Sequence, residues 1–277
     1  MSAPPWLAIE RGDAPLIVSM PHVGADLAGL EPRLASAWLA RKDADWRIER
    51  LYDFAAGLGA TVVRTAISRT VIDVNRDPSG ASLYPGQATT GLCPTTTFDG
   101  EPLYRPGAEP SEAEVAERKR AFFDPYDRAL HGEAARLRAK YRAVALYDCH
   151  SIRSVIPRLF EGELPAFNLG VNGGASADAG LVRGVVDVLR ASGRSYVVDG
   201  RFKGGWITRS FGQPAHGVHA LQMELACRTY LREPLGPVSE ADWPPPYDPL
   251  FAAPTRETLR AVLAAALDWA RRANAAP

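Results

Sequence analysis

Short β-branched apolar runs alternate with longer helical segments along this chain, and that alternation restricts the fold more than any other sequence feature. Leu16–Met20 is one such run, and it ends at Pro21 and His22 as a buried strand ends at a loop. Similar runs predict strands at residues 60–66, 70–74, 143–147, 166–170, 195–198 and 218–225. Strands that alternate with helices are typical of an α/β fold with a mixed, mostly parallel sheet flanked by helices.

Helical spacing of apolar residues predicts the segments between these strands. Ser111 and Glu114 match a capping box at the start of the longest helical segment, and Pro125 is expected to kink or split it. The stretch 78–110 is dense in Gly, Pro and Thr, and its apolar residues show neither the alternation of a strand nor the spacing of a helix. We therefore predict a long loop over the site. A proline-rich connector is expected at 242–254. The predicted helices cover residues 44–58, 111–141, about 178–191 and 255–273.

Length and charge point to one domain that handles a small molecule. One α/β domain can reach 277 residues, so we predict a single domain over 1–277. The 32 basic and 32 acidic residues balance, which argues against nucleic acid or an anionic membrane as a partner. No apolar run approaches the roughly 18 residues that span a bilayer, and the N-terminus does not resemble a signal peptide. We expect a cytoplasmic protein with reduced thiols at Cys93, Cys149 and Cys227, whereas no pattern predicts an oligomeric state.

Polar side chains follow three of the predicted strands. His22, the pair Asn75-Arg76 and the segment Asp148-x-His150 stand where an α/β sheet binds ligands, at the carboxyl ends of its strands. Two imidazoles and one carboxylate suit a catalytic zinc, which takes three protein ligands and keeps a fourth position open. Spacing alone offers Asp26, Asp43, Asp45 and Asp148 as the carboxylate. His216 and His219 are a less favoured second metal pair.

The chain lacks the phosphate-loop, dinucleotide and serine-hydrolase sequence motifs. Their absence argues against nucleotide binding and against a serine nucleophile. Glu224 is a further candidate, because it lies on the otherwise apolar run 218–225, where an unpaired carboxylate is expensive to bury. The structural alternative is a glutamate neutralised by a core arginine.

Five short motifs follow one another along the chain: Ser19-Met-Pro-His22-x-Gly24, Asp43-x-Asp45-Trp46, Ser68-Arg69 with Asp73-x-Asn75-Arg76, Asp148-x-His150-Ser151 and Gln222-x-Glu224. Taken in this order, they resemble the N-formylglutamate amidohydrolase family over roughly residues 15–231. The resemblance implies a phosphorylase/hydrolase-like fold similar to zinc carboxypeptidases. It also implies hydrolysis of N-formyl-L-glutamate to glutamate and formate, the last step of one route of histidine degradation.

The same resemblance assigns roles to individual residues. His22 and His150 are expected to ligate one zinc ion, with Asp45 favoured and Asp26 possible as the third ligand. Asp148 would instead accept a hydrogen bond from a ligating histidine. Glu224 occupies the position of a general base.

A substrate of this kind, a small acidic N-acyl amino acid, carries two carboxylates and requires cations in the site. Arg76 can fork onto a carboxylate and Asn75 can add a donor. Further candidates for substrate binding are Arg69, Arg153, Arg209 and the backbone at Gly205. Three alternatives stay open: a zinc amidase for other N-acyl amino acids or short peptides, a binding protein without catalysis, and iron, cobalt or manganese in place of zinc.

Overall fold

A seven-stranded mixed sheet forms the centre of the molecule in a computed structural model that describes residues 4–275. The order across the sheet is β1-β3-β2-β4-β7-β5-β6. Neighbours are parallel except in the pairs β1/β3 and β5/β7, so the predicted mixed, mostly parallel α/β sheet is confirmed. The strands are β1 Leu7–Glu10, β2 Leu16–Met20, β3 Thr61–Thr65, β4 Val144–Ile152, β5 Phe167–Gly170, β6 Tyr196–Val198 and β7 Val218–Ala226.

Two strand predictions need correction. Residues 70–74 are not a strand: they form turns, in which the amide of Val71 bonds to the carbonyl of Ser68, and the amide of Asp73 bonds to Leu92. Strand β4 does not end before Asp148 but continues to Ile152, because β7 pairs with it residue by residue as far as Ala226. β1 was not predicted; it joins the sheet only through its antiparallel partner β3.

The helices follow the predicted positions with changes at their ends. The predicted helix at 44–58 shrinks to α1, because Arg47 adopts a left-handed backbone (φ 66°) that a continuous helix excludes. The capping box of Ser111 and Glu114 is confirmed. A π-helical turn, Lys119–Phe123, joins α2 to α3 just before Pro125. The helices are α1 Ile48–Leu51, α2 Glu112–Arg118, α3 Asp124–Arg138, α4 Ala179–Ala191, α5 Trp206–Phe211 and α6 Pro249–Ala275.

The last helix begins earlier than its periodicity indicates. Asp248 accepts hydrogen bonds from the amides of Leu250 and Phe251, which caps the first turn. Pro249 then occupies the first helical position, where a missing N–H costs nothing. The end of the predicted connector 242–254 is therefore helical. Within residues 4–275, no helix is both long and apolar enough to span a membrane.

Helices pack on both faces of the sheet. Leu16, Val18 and Met20 of β2 share one apolar cluster with α4 and α6. Ile17, which points the other way from the same strand, belongs to a second cluster with α3 and α5. A sheet buried on both faces leaves its strand ends as the place for a polar site, and β2, β4 and β7 are its central neighbours.

Candidate active site

Two histidines and one aspartate converge at the carboxyl ends of β2 and β4. His22 follows β2 and His150 lies within β4, whereas Asp45 precedes α1. All three are buried, and one ligand atom from each lies within 4.8 Å of the other two. The structure thus brings together the three residues that the sequence favoured as metal ligands.

A carboxylate orients each imidazole. His22 donates from Nε2 to Asp73 Oδ1 at 2.7 Å, and His150 donates from Nε2 to Asp148 Oδ2 at 2.8 Å. The Nδ1 atoms therefore face Asp45 Oδ2, at 3.7 Å for His22 and 3.1 Å for His150. A carboxylate behind a histidine is the usual arrangement at metal sites, where it fixes the ring and the tautomer.

The donor set fits a divalent cation. His22 Nδ1 and Asp45 Oδ1 are buried and lack a hydrogen-bond partner within the described chain. Buried polar atoms are normally satisfied, so these two unpaired atoms fit residues that could hold a cation. Two imidazole nitrogens and one carboxylate oxygen match the ligands of catalytic zinc sites.

The buried charges of this cluster shift one another's pKa values. Burial alone would raise the pKa of Asp45, but hydrogen bonds from His150 and His22 lower it below its usual range. Burial would lower the pKa of His150, whereas the negative charge of Asp148 raises it well above its usual value. The negative charges of Asp45 and Asp148 and a positive charge on His150 therefore stabilise one another.

The remaining metal candidates lie outside this cluster. Asp26 accepts from the amide of Ala28, and Asp43 accepts from the amide of Phe98. His216 is exposed and bonds to the side chain of Gln213. His219 packs edge-on against Trp269, with ring centres 4.5 Å apart.

Glu224 lies on β7 directly beside His150 on β4, since the two residues are register partners. Its carboxylate lines the cleft and is buried, with Gln222 donating to it at 3.3 Å. Burial raises the pKa of Glu224 to about 8, although the charge of His150 opposes this rise. None of the described arginines or lysines forms an ion pair with it, so a structural pairing with a core arginine does not account for its position.

Asn75 connects this carboxylate network to the next loop. Its amide group donates to Asp148 Oδ2 at 3.0 Å, while its Oδ1 accepts from the amide of Ile207 in α5. Gly205 packs directly against this side chain, because a Cβ at Gly205 would lie 2.5 Å from the Asn75 amide. The amide of Gly205 donates to Gln222, so it stabilises the cleft wall.

Three arginines line the cleft, which has an empty volume of about 550 Å³. Arg69 is buried and donates to Asp73 Oδ2 at 2.6 Å. Arg76 donates to the backbone oxygen and the hydroxyl of Thr90, and its guanidinium is 3.7 Å from Asp73. Arg201 also lines the cleft, as do Leu159 and Phe202.

The other two predicted substrate arginines lie elsewhere. Arg153 pairs with Asp99 at 2.5 Å and with Asp43 at 3.6 Å, beside the cleft rather than in its lining. Arg209 donates to the carbonyl of Gly204 and stacks on the ring of Tyr84. The predicted long loop at 78–110, between β3 and α2, is confirmed, and it carries Tyr84 and Phe98 into the cleft wall.

Sequence reasoning did not identify Arg201 or the orienting role of Asp73. Arg201 lies shortly after β6 and belongs to none of the five motifs. Asp73 stood in a motif, but its role depends on its 2.7 Å contact with His22, 51 residues away. Its position two residues before Asn75 was the available signal.

Comparisons with known proteins agree with the motifs. The family model of N-formylglutamate amidohydrolase matches residues 14–231. The chain is 45% identical to the N-formylglutamate deformylase of Pseudomonas aeruginosa, covering 96% of this chain and 97% of that protein. It is 44% identical to the N-formylglutamate deformylase of Pseudomonas putida, with 95% and 96% covered. A crystal structure of N-formylglutamate amidohydrolase from Ralstonia eutropha shares the fold, with a TM-score of 0.77, 24% identity and coverage of 96% and 98%.

Proposed function

The chain belongs to the N-formylglutamate amidohydrolase family, and we propose that it is a zinc-dependent enzyme that hydrolyses N-formyl-L-glutamate to L-glutamate and formate. The convergence of His22, Asp45 and His150 beside Glu224 supports this proposal most directly. The names of the two Pseudomonas relatives support the choice of substrate.

His22 and His150 would hold the ion through Nδ1 and Asp45 through its carboxylate, with Asp73 and Asp148 keeping both rings oriented. Zinc in such a site polarises a carbonyl oxygen and makes water more acidic. Iron, cobalt and manganese accept the same ligand types, so zinc is the proposed ion on the basis of its preferred ligand set.

Glu224 would act as the general base and acid. Its carboxylate takes a proton from the attacking water as the oxygen bonds to the formyl carbon. It then gives the proton to the amide nitrogen as the carbon–nitrogen bond breaks, which releases the amino group of glutamate. A cation beside Glu224 favours its ionised form, so a bound metal would lower the pKa of about 8 toward the range that a base requires.

Asn75 and Arg76 would position the substrate next to these groups. Arg76 lines the cleft, and the guanidinium N–H groups that Thr90 does not accept from would donate to a carboxylate. Gly205 contributes the space that Asn75 occupies. A direct role in substrate binding for Arg153 or Arg209 stays a prediction.

We further propose that the fold is similar to that of zinc carboxypeptidases, that the enzyme is cytoplasmic, and that it performs a step in histidine degradation. The family resemblance implies all three. The mixed sheet with its site at the strand ends is compatible with the first of these.

A formate-release assay tests the activity. Purified protein loaded with zinc is supplied with N-formyl-L-glutamate, N-acetyl-L-glutamate, N-formyl-L-aspartate and short peptides in parallel. We expect the highest kcat/KM for N-formyl-L-glutamate. A clear preference for another acyl group or a peptide would instead favour a different zinc amidase, and bound zinc without hydrolysis of any of them would favour a binding protein.

A further inference from the structure

Arg201 brings a positive charge to the cleft that no acidic group balances at close range. Within residues 4–275, no carboxylate lies within 4.0 Å of its guanidinium. Its Nε donates to the carbonyl of Leu159 and its Nη2 to the carbonyl of Ala88, both at 2.7 Å. A guanidinium has five N–H groups, so these two bonds hold the side chain in place and leave three donors for a ligand.

The other two cleft arginines differ from Arg201 in this respect. Arg69 pairs with Asp73 at 2.6 Å, and Arg76 lies 3.7 Å from the same carboxylate. A partly buried charge without a partner is unfavourable, so such groups normally face a counter-ion. Burial lowers the pKa of Arg201 and the charge of Arg76 lowers it further, whereas the charge of Glu224, which forms no ion pair with Arg201 among the described residues, opposes this change.

Two aromatic rings lie next to the Arg201 guanidinium. Its central carbon lies 5.4 Å from the ring centre of Tyr84 and 5.2 Å from that of Phe202. Stacking of this kind restricts the planar group and lowers the entropy lost when it binds a ligand. The geometry is that of a preorganised anion site on the wall of the cleft.

We propose that Arg201 binds the side-chain carboxylate of an acidic N-acyl amino acid and so makes the enzyme selective for dicarboxylates. This inference rests on the proposed function. Arg76 then receives the α-carboxylate, which is separated from the scissile nitrogen by a single carbon. The assignment follows from position: Arg76 shares Asp73 with His22, whereas Arg201 contacts the two loops that carry Leu159 and Ala88.

Substrates that differ only in the side-chain charge test the proposal. N-formyl-L-glutamate and N-formyl-L-glutamine have nearly the same shape, but the second lacks the negative charge. We expect Arg201→Gln to lower kcat/KM for N-formyl-L-glutamate by about 10-fold or more, mainly through KM, because a charge-assisted hydrogen bond is lost. The value for N-formyl-L-glutamine should change little. An equal loss on both substrates would overturn the proposal.

Arg201→Lys separates a binding role from a structural one. Lysine keeps the charge but loses the two bonds that tether the loops, so it should retain part of the preference for the dicarboxylate. If Arg201 served only to hold the loops, the Lys and Gln variants would lose activity equally on both substrates. Arg158→Gln is the matched control, since Arg158 also bonds to backbone carbonyls, those of Thr97 and Phe98, but does not line the cleft.

A binding measurement keeps the test independent of catalysis. Calorimetry with L-glutamate and L-glutamine should show tighter binding of the dicarboxylate by wild type, and Arg201→Gln should remove the difference. If wild type releases no formate but keeps this preference, the proposed reaction fails while the role of Arg201 stands. Equal affinity of the wild type for the two ligands would overturn the role of Arg201 even if formate is released.

Discussion

At the scale of single residues, Glu224 is the side chain whose environment most favours chemistry over structure. It is buried beside His150, Gln222 donates to its carboxylate, and burial raises its pKa to about 8. Glutamine keeps its shape but accepts no proton. We expect Glu224→Gln to bind zinc and substrate normally and to lower kcat by at least about 100-fold, the usual contribution of a positioned base.

Glu133→Gln is the control for this variant. Glu133 is also buried, but it lies on α3 and pairs with Arg11 and Arg136, outside the cleft lining. Its replacement should reduce stability and leave kcat unchanged. Steady-state kinetics and metal analysis of both variants decide the role, and near-normal kcat in Glu224→Gln would make Glu224 a structural residue.

Arg76 offers a second prediction at this scale. Arg76→Lys keeps the charge and loses the planar fork, so binding of the α-carboxylate should weaken. We expect kcat/KM to fall about 10- to 150-fold, which corresponds to roughly 1.5 to 3 kcal/mol for a charge-assisted contact. The fall should be equal for N-formyl-L-glutamate and N-formyl-L-glutamine, and it should shrink for 4-formamidobutanoate, which lacks the α-carboxylate. An undiminished loss on that analogue would show that Arg76 holds no α-carboxylate.

At the scale of elements, the start of α5 determines where the Asn75 loop lies. A Cβ at Gly205 would overlap the Asn75 side chain at 2.5 Å, and that side chain joins Asp148 to the amide of Ile207. Gly205→Ala should displace Asn75, lower kcat/KM at least about 10-fold and cost about 1 to 3 kcal/mol of stability, as overpacking does.

Gly184→Ala in α4 is the matched control for Gly205→Ala. A Cβ there would meet no atom within 4 Å, so alanine should stabilise the helix by roughly 0.5 to 1 kcal/mol. Activity assays and denaturant unfolding of the two variants check the prediction. Full activity in Gly205→Ala would mean that the Asn75 contact does not affect catalysis.

His219, where β7 meets α4 and α6, gives a prediction about pH. It is buried, accepts from the amide of Asp178 and contacts Trp269, and burial lowers its pKa below the usual 6.5. Between this lowered pKa and about 6.5, the unfolded chain therefore binds more protons than the folded one, so stability decreases as the pH falls from about 6.5 through the folded-state pKa. Denaturant unfolding at several pH values should show a smaller acid loss for His219→Gln than for wild type. The exposed His216 supplies the control, because His216→Gln should keep the wild-type dependence, and parallel curves for all three proteins would contradict the prediction.

At the scale of the whole molecule, the proposed metal joins parts of the chain that are far apart in sequence. His22, Asp45 and His150 come from the loop after β2, the segment before α1 and strand β4. A ligand that binds only the folded state stabilises it, by about 2.7 kcal/mol at 100 times the dissociation constant. Chelation should therefore lower Tm by several degrees and abolish activity, and zinc should restore both.

His150→Ala tests the metal site within the same experiment. This variant should lose zinc, turnover and the shift in Tm that zinc causes. His131→Ala should keep all three, because His131 is exposed on α3 and bonds to Asp127. Equal behaviour of the two variants, or full activity of thoroughly metal-free wild type, would rule out the proposed metal site.

The sequence by itself determined the features that depend on local pattern. The runs that became β2, β3, β5, β6 and β7 could be recognised because their apolar residues are neighbours in the chain. The capping box at Ser111 and Glu114 depends on residues three apart. Ordered motifs were specific enough to indicate the family and its candidate ligands, His22, Asp45 and His150.

Only the tertiary structure decided which side chains meet. Four aspartates fitted the ligand role by spacing, and Asp45 lies beside His150 through a contact that spans 105 residues. The same holds for the turns at 70–74, which only their packing distinguishes from a strand, and for the charge of Arg201, which no carboxylate within residues 4–275 pairs with. Apolar periodicity reports how one segment faces the core, whereas a site depends on pairwise distances between segments, and the sheet order sets those distances.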